Sequence, residues 1–187
     1  MLELKETFKK EVYDLKDYLL FLVVDSKSYQ KTSIDVTKYL VSEQNIPGVY
    51  VTLNKPYDVV KRDLASNNID TRLIIFIDVV TITESKRAEN CLFIGSPEKL
   101  SDMSVAIDQA IKAIPTSNKF LIFDSLNTLG IFNKPATLAR FVHFLAAKIR
   151  EWKVKGVILT LGQETDPAVI DELEQFSDAT VEVGGET

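Results

Sequence analysis

The chain has 187 residues, 45% hydrophobic and 26% charged, which excludes disorder and collagen-like repeats and suits a single domain, 1–187, with one sizeable core. Twenty-two Lys and Arg against 27 Asp and Glu give a net charge of −5, which argues against a general binder of nucleic-acid backbone. The lone cysteine, Cys91, excludes an intrachain disulfide and fits a reducing, cytoplasmic setting, and the longest apolar run, Tyr18 to Val24, is far shorter than the ~20 residues that span a bilayer.

Leu4, Phe8, Val12, Leu15 and Leu19 recur at helical spacing, so the segment 1–18 is read as an amphipathic helix over about 2–17. Its stripe suits packing on its own sheet or on a neighbouring copy. A charged helix before the apolar run, with no small-residue cleavage site after it, argues against a signal peptide. The run Leu19 to Val24 predicts a buried strand and Asp25 to Lys31 a polar loop. A helix is expected over 33–43, with Ser33 or Thr32 near its N-cap.

Pro47-Gly48 turns the chain into a strand, Val49 to Leu53, closed by Asn54-Lys55-Pro56. A helix over 57–66, a strand over Leu73 to Val80 and a polar, exposed loop over 81–90 follow. Next come a short strand at Cys91 to Ile94, a helix entered at Gly95-Ser96-Pro97 and reaching about 113, and a strand at Phe120 to Asp124. A long helix over 135–152, a strand at Gly156 to Leu161, a helix over 167–176 and a last strand at Ala179 to Val183 complete the series. Apolar strands alternating with amphipathic helices predict an α/β domain whose mostly parallel sheet carries helices on both faces.

Such sheets bind ligands beyond the carboxyl ends of their strands, which directs attention to Asp25–Thr32, Asn54-Lys55, Asp78, Asp124-Ser125 and Thr160–Gln163. Asp25 to Thr32 can be laid against the phosphate-binding pattern G-x-x-x-x-G-K-[ST]. Lys31-Thr32 supply its terminal pair, but Asp25 and Gln30 stand at the glycine positions. Those glycines matter because the loop must wrap closely and aim backbone N–H groups at phosphate. The seven glycines are about half the usual share, and the first is Gly48, well past this loop. Asp124 closes an apolar strand, where a phosphate-loop nucleotidase keeps the aspartate of its magnesium shell.

The succession of these segments resembles the KaiC-like branch of the RecA-superfamily ATPases over about residues 19–183. Val49-Tyr50-Val51-Thr52-Leu53-Asn54-Lys55-Pro56 is similar to that family's second-strand motif, and Phe123-Asp124-Ser125-Leu126 to its Walker B strand. Gly156 to Thr160 resembles its sensor strand, and Ser177-Asp178-Ala179-Thr180-Val181 its late strand. The resemblance implies a three-layer RecA-like P-loop NTPase fold. It also implies a glycine-rich Walker A loop and a glutamate pair closing the second strand; the glutamate positions here fall on Asn54 and Lys55. Family members continue into a basic segment that reaches a neighbour's nucleotide, whereas this sequence stops at Thr187.

The reading is therefore an inactivated relative: a non-catalytic regulatory or signal-transduction module of archaeal type, working through protein–protein contacts, with no required cofactor and no metal. Self-association is in keeping with the superfamily. The alternative is weak ATP·Mg binding, or slow hydrolysis, through Lys31, Thr32 and Asp124. A DNA-bound recombinase accessory is a third reading, against which the charge speaks. His143 is read as a packed helix residue, Cys91 as core, and Lys61, Arg62, Arg140, Lys148 and Arg150 as surface. A phosphoacceptor pocket of Asp25 with Asp78 is the least favoured alternative.

Overall fold

The computed structural model describes residues 6, 8–12, 14–82 and 87–184. Seven strands form one sheet: β1 (Tyr18–Val24), β2 (Gly48–Thr52), β3 (Ile74–Asp78), β4 (Cys91–Phe93), β5 (Phe120–Asp124), β6 (Lys155–Leu161) and β7 (Ala179–Val183). Their order is β4-β3-β2-β5-β6-β1-β7 and every pairing is parallel, so the sheet expected to be mostly parallel is wholly so among the described residues. Parallel neighbours require crossovers, and among the described residues six α-helices supply all of them but that from β3 to β4. These are α1 (Tyr29–Lys38), α2 (Tyr57–Ser66), α3 (Leu100–Ala113), α4 (Leu126–Phe132), α5 (Pro135–Trp152) and α6 (Pro167–Phe176).

The period of two along β1 divides the core between the two faces. Leu19 and Phe21 pack with Met103, Ile107, Leu138, Leu145, Val169 and Leu173 of α3, α5 and α6. Tyr18, Leu20, Leu22 and Val24 pack with Val36, Tyr57, Val60 and Leu64 of α1 and α2. The strands are thus buried on both sides, which is why they read as near-continuous apolar runs. Gly48 opens β2 because a Cβ there would lie 2.3 Å from the buried Phe120 ring on the adjacent strand.

Helix ends follow local chemistry. Asp166 caps α6 by accepting from Ala168 N–H at 2.9 Å, with Pro167 in the first turn. Lys153 ends α5 in the left-handed conformation, φ 52°, its N–H bonded to the Arg150 and Ile149 carbonyls.

Several expectations need correction. Of the N-terminal helix, Phe8–Val12 form a π-helical turn, 14, 16 and 17 are turn or bend, and Leu15 is exposed and irregular, so the strand begins at Tyr18. The remainder, 1–5, 7 and 13, lies outside the described residues, as do 83–86 of the expected 81–90 loop. The helix expected from 33 begins at Tyr29, and a π turn over Tyr39–Glu43 extends it. Ser33 and Thr32 are therefore buried inside the helix instead of capping it. α4 is a helix beyond those the sequence predicts, since its seven residues, LNTLGIF, are too few to show a helical period. Among the described residues no helix is long and apolar enough to cross a membrane.

Candidate functional site

The crevice beyond the carboxyl ends of β1, β2 and β5 is built by four connections. After β1 the chain turns within Asp25-Ser26-Lys27-Ser28 and enters α1. The Asp25 carboxylate accepts from the Ser28 N–H at 2.6 Å, so the loop supplies its own anion for a donor that a phosphate loop would present to its ligand. This bond, with the Ser28 hydroxyl behind it, holds the Asp25 carboxyl below its ordinary value. Gly184, just past β7, covers the turn at φ 81°; a Cβ there would lie 2.2 Å from Asp25 Oδ2 and 2.6 Å from Ser28 Oγ.

Among the described residues, no hydrogen bond or ion pair joins Lys31, Thr32 and Asp124, the three residues expected at a nucleotide. The Lys31 side chain is 64% exposed and its ammonium pairs with Asp35 one turn along α1 at 2.5 Å, which raises the lysine above its ordinary value. Thr32 is buried in α1. The hydroxyl that reaches Asp124 is that of Ser33, at 3.0 Å, one residue later than the pattern assigned. Tyr50 of β2 also donates to Asp124 Oδ2, and its hydroxyl lies 2.7 Å from Ser33 Oγ. Asp124 Oδ1 is buried without a partner. Despite two hydroxyls on the other oxygen, burial pushes the Asp124 carboxyl up to about 7.

Asn54, at a glutamate position, bridges the crevice. Its amide nitrogen donates to Tyr29 Oη and to Ser125 Oγ, each at 2.8 Å, and its amide oxygen accepts from Thr128 Oγ1. Ser125 follows Asp124 across a cis peptide bond and donates to Asn127 Oδ1 at 2.5 Å. Asn127 in turn accepts from Leu161 N–H at 3.3 Å and donates to Glu164 at 3.2 Å, joining the ends of β5 and β6. Lys55, at the second glutamate position, pairs with Asp63 of α2 at 3.2 Å. A cavity of about 30 Å³ remains between Ser33, Tyr50, Asn54, Lys55, Asp63 and Asp124. That holds about two waters, a tenth of the ~300 Å³ at which small-molecule pockets begin. The residues present therefore do not fit ATP·Mg: the lysine is paired with Asp35, the turn carries a carboxylate, and hydrogen bonds tie Tyr29, Asn54 and Thr128 across the crevice.

The other readings resolve simply. Asp78 is fully buried and organises its own strand end, with three strands between it and the Asp25 end of β1, so the two share no pocket. Cys91 is core. His143, expected to be packed, is exposed: only one edge of its ring meets Phe176, ring centres 4.6 Å apart, with Glu172 at 3.5 Å. Arg150 does more than face solvent: it ties α5 to Asp178 at 2.6 Å. Tyr29 and Ser125 lie in the strand-end segments the sequence singles out, whereas Ser33, Tyr50, Thr128 and Gly184 are site residues it does not. The available signal was a cluster of hydroxyl and amide side chains at the strand ends.

The sheet order and the helices on both faces define a RecA-like α/β domain. A KaiC-like protein from the hyperthermophilic archaeon Pyrococcus horikoshii OT3 shares this fold at a TM-score of 0.64 and 16% identity, over 88% of this chain and 70% of that one. A family model matches residues 22–183, and the chain belongs to that family, described as a family of unknown function (DUF7504). Comparison with curated proteins gave no match.

Proposed function

We propose that this chain is a non-catalytic RecA-like module, of archaeal type and regulatory in role, that acts by contacting other proteins. The observation that carries the reading is the closed crevice: Asn54 joined to Tyr29, Ser125 and Thr128 where the fold would admit a nucleotide. With the Asp25 turn already using the Ser28 donor, little is left to bind a polyphosphate. Large apolar side chains stand exposed at this same end of the sheet, Ile82 after β3 and Ile131 and Phe132 after β5, as suits a protein-contacting surface. Self-association and cytoplasmic residence belong to the same proposal.

The test is a magnesium-dependent ATPase assay on the wild type and Lys31→Ala. Both are expected to stay at the buffer rate. Turnover in the wild type that disappears in Lys31→Ala overturns the reading in favour of an ATPase using Lys31, Thr32 and Asp124.

A further inference from the structure

A second concavity lies opposite the closed crevice, at the amino ends of the three adjacent strands β5, β6 and β1. It measures about 750 Å³ and is lined by Lys16, Asp17, Ser117, Asn118, Lys153 and Lys155. That is within the ~300–1,000 Å³ range of small-molecule sites. Three chain segments meet there because the parallel register sets Lys155 of β6 beside Tyr18 of β1 and Phe120 of β5. The residues just before those strands therefore converge on Lys155.

We propose that this concavity binds a small, multiply charged anion bearing phosphate or carboxylate groups, with Lys155 at its centre and Lys16 and Lys153 at its rim. Lys155 is only 8% exposed, yet among the described residues no carboxylate pairs with it. Its ammonium lies 5.5 Å from the Tyr18 ring centre, and its one hydrogen-bond acceptor among the described residues is Gln44 Oε1 at 3.4 Å. Burial pushes it below its ordinary value, as desolvation does to a cation left uncompensated. A buried charge of this kind costs stability unless something pairs with it.

Nearby Lys119 shows what a lysine serving only the fold looks like here. Its ammonium is satisfied by the Ile111 and Ile114 carbonyls at 2.8 and 3.0 Å, at the end of α3. Lys16 and Lys153 have no such acceptors among the described residues, both are exposed, and α5 is already closed by the backbone of Lys153. Among the described residues of the lining, one carboxylate, Asp17, stands against three ammonium groups, an excess of two positive charges. Ser117 and Asn118 add neutral donors that suit the oxygens of a phosphate or carboxylate.

The inference is independent of whether the opposite crevice binds nucleotide. It is tested by calorimetric titration of the full chain at low salt with inorganic pyrophosphate and, separately, with citrate. At least one is expected to bind saturably with a Kd below about 1 mM, weakened about 10- to 100-fold in Lys155→Met. Tighter pyrophosphate assigns the site to phosphates, tighter citrate to carboxylates, and equal affinity to anions recognised by charge. The double variant Lys16→Ser/Lys153→Ser changes only exposed side chains and is also expected to weaken binding, so it decides the matter if Lys155→Met does not fold. No saturable binding of either anion, or binding unchanged in the variants, overturns the proposal.

Discussion

Asp124→Asn is expected to leave the protein folded and to remove a pH dependence of stability on the order of 4 kcal/mol. The carboxyl titrates at 3.8 when unperturbed and at about 7 in the fold, so the native state holds the proton more tightly than the unfolded chain. That contribution is complete below about pH 4 and is lost as pH rises through about 7. An amide keeps an oxygen for Tyr50 and Ser33 and has no charge to bury. Denaturant unfolding of both proteins across this range should show the variant gaining on the wild type as pH rises, most steeply between about 4 and 7. A constant difference contradicts the burial argument. The result bears on function as well: an aspartate that holds a magnesium shell must be ionised, and this one gains from its proton.

The second large effect is expected at Asp78. Its two carboxylate oxygens accept from Tyr57 N–H, Val80 N–H and Thr81 N–H at 2.8 Å each, and from the Thr81 hydroxyl at 2.6 Å. One fully buried side chain thus sets the start of α2 and the exit of β3. Asp78→Ala orphans those donors, and water can reach those of the half-buried Val80 and Thr81 more readily than that of Tyr57. A loss of about 3 kcal/mol is expected, read by denaturant unfolding; a loss under about 1 kcal/mol contradicts the role. Asp78→Asn keeps an acceptor and should lose less.

The elements that read correctly from the sequence are those whose signals are local. The bounds 57–66, 135–152 and 167–176 match α2, α5 and α6, because proline at or just before the first turn, and aspartate before α6, mark the starts. β7 matches because a short β-rich run follows the end of α6. α1 was placed four residues late because Tyr29-Gln30-Lys31-Thr32 carries no apolar period, and the Asp25–Ser28 turn that launches it leaves no pattern. The missing phosphate-loop glycines were visible in the sequence, and the turn built in their place is consistent with that reading.

The crevice itself was not legible, since it depends on contacts between distant residues. Tyr50 and Asp124 are 74 positions apart, as are Asn54 and Thr128, and only the β2–β5 pairing brings them together. Nor could hydropathy reveal which hydroxyl, Thr32 or Ser33, faces the aspartate; one residue along a helix turns a side chain by about 100°. The amino-end concavity depends likewise on register, gathering residues near positions 16, 117 and 153.

The closed crevice is tested most directly by following the backbone amide signals of the folded chain while ATP·Mg is added. The prediction is that the signals of Ser28, Tyr29, Asn54 and Ser125 stay where they are, whatever moves near Lys153 and Lys155 at the other end of the sheet. Saturable shifts at Ser28, Tyr29 and Ser125, abolished in Lys31→Ala, would contradict it and establish a nucleotide site at the carboxyl ends of β1 and β5.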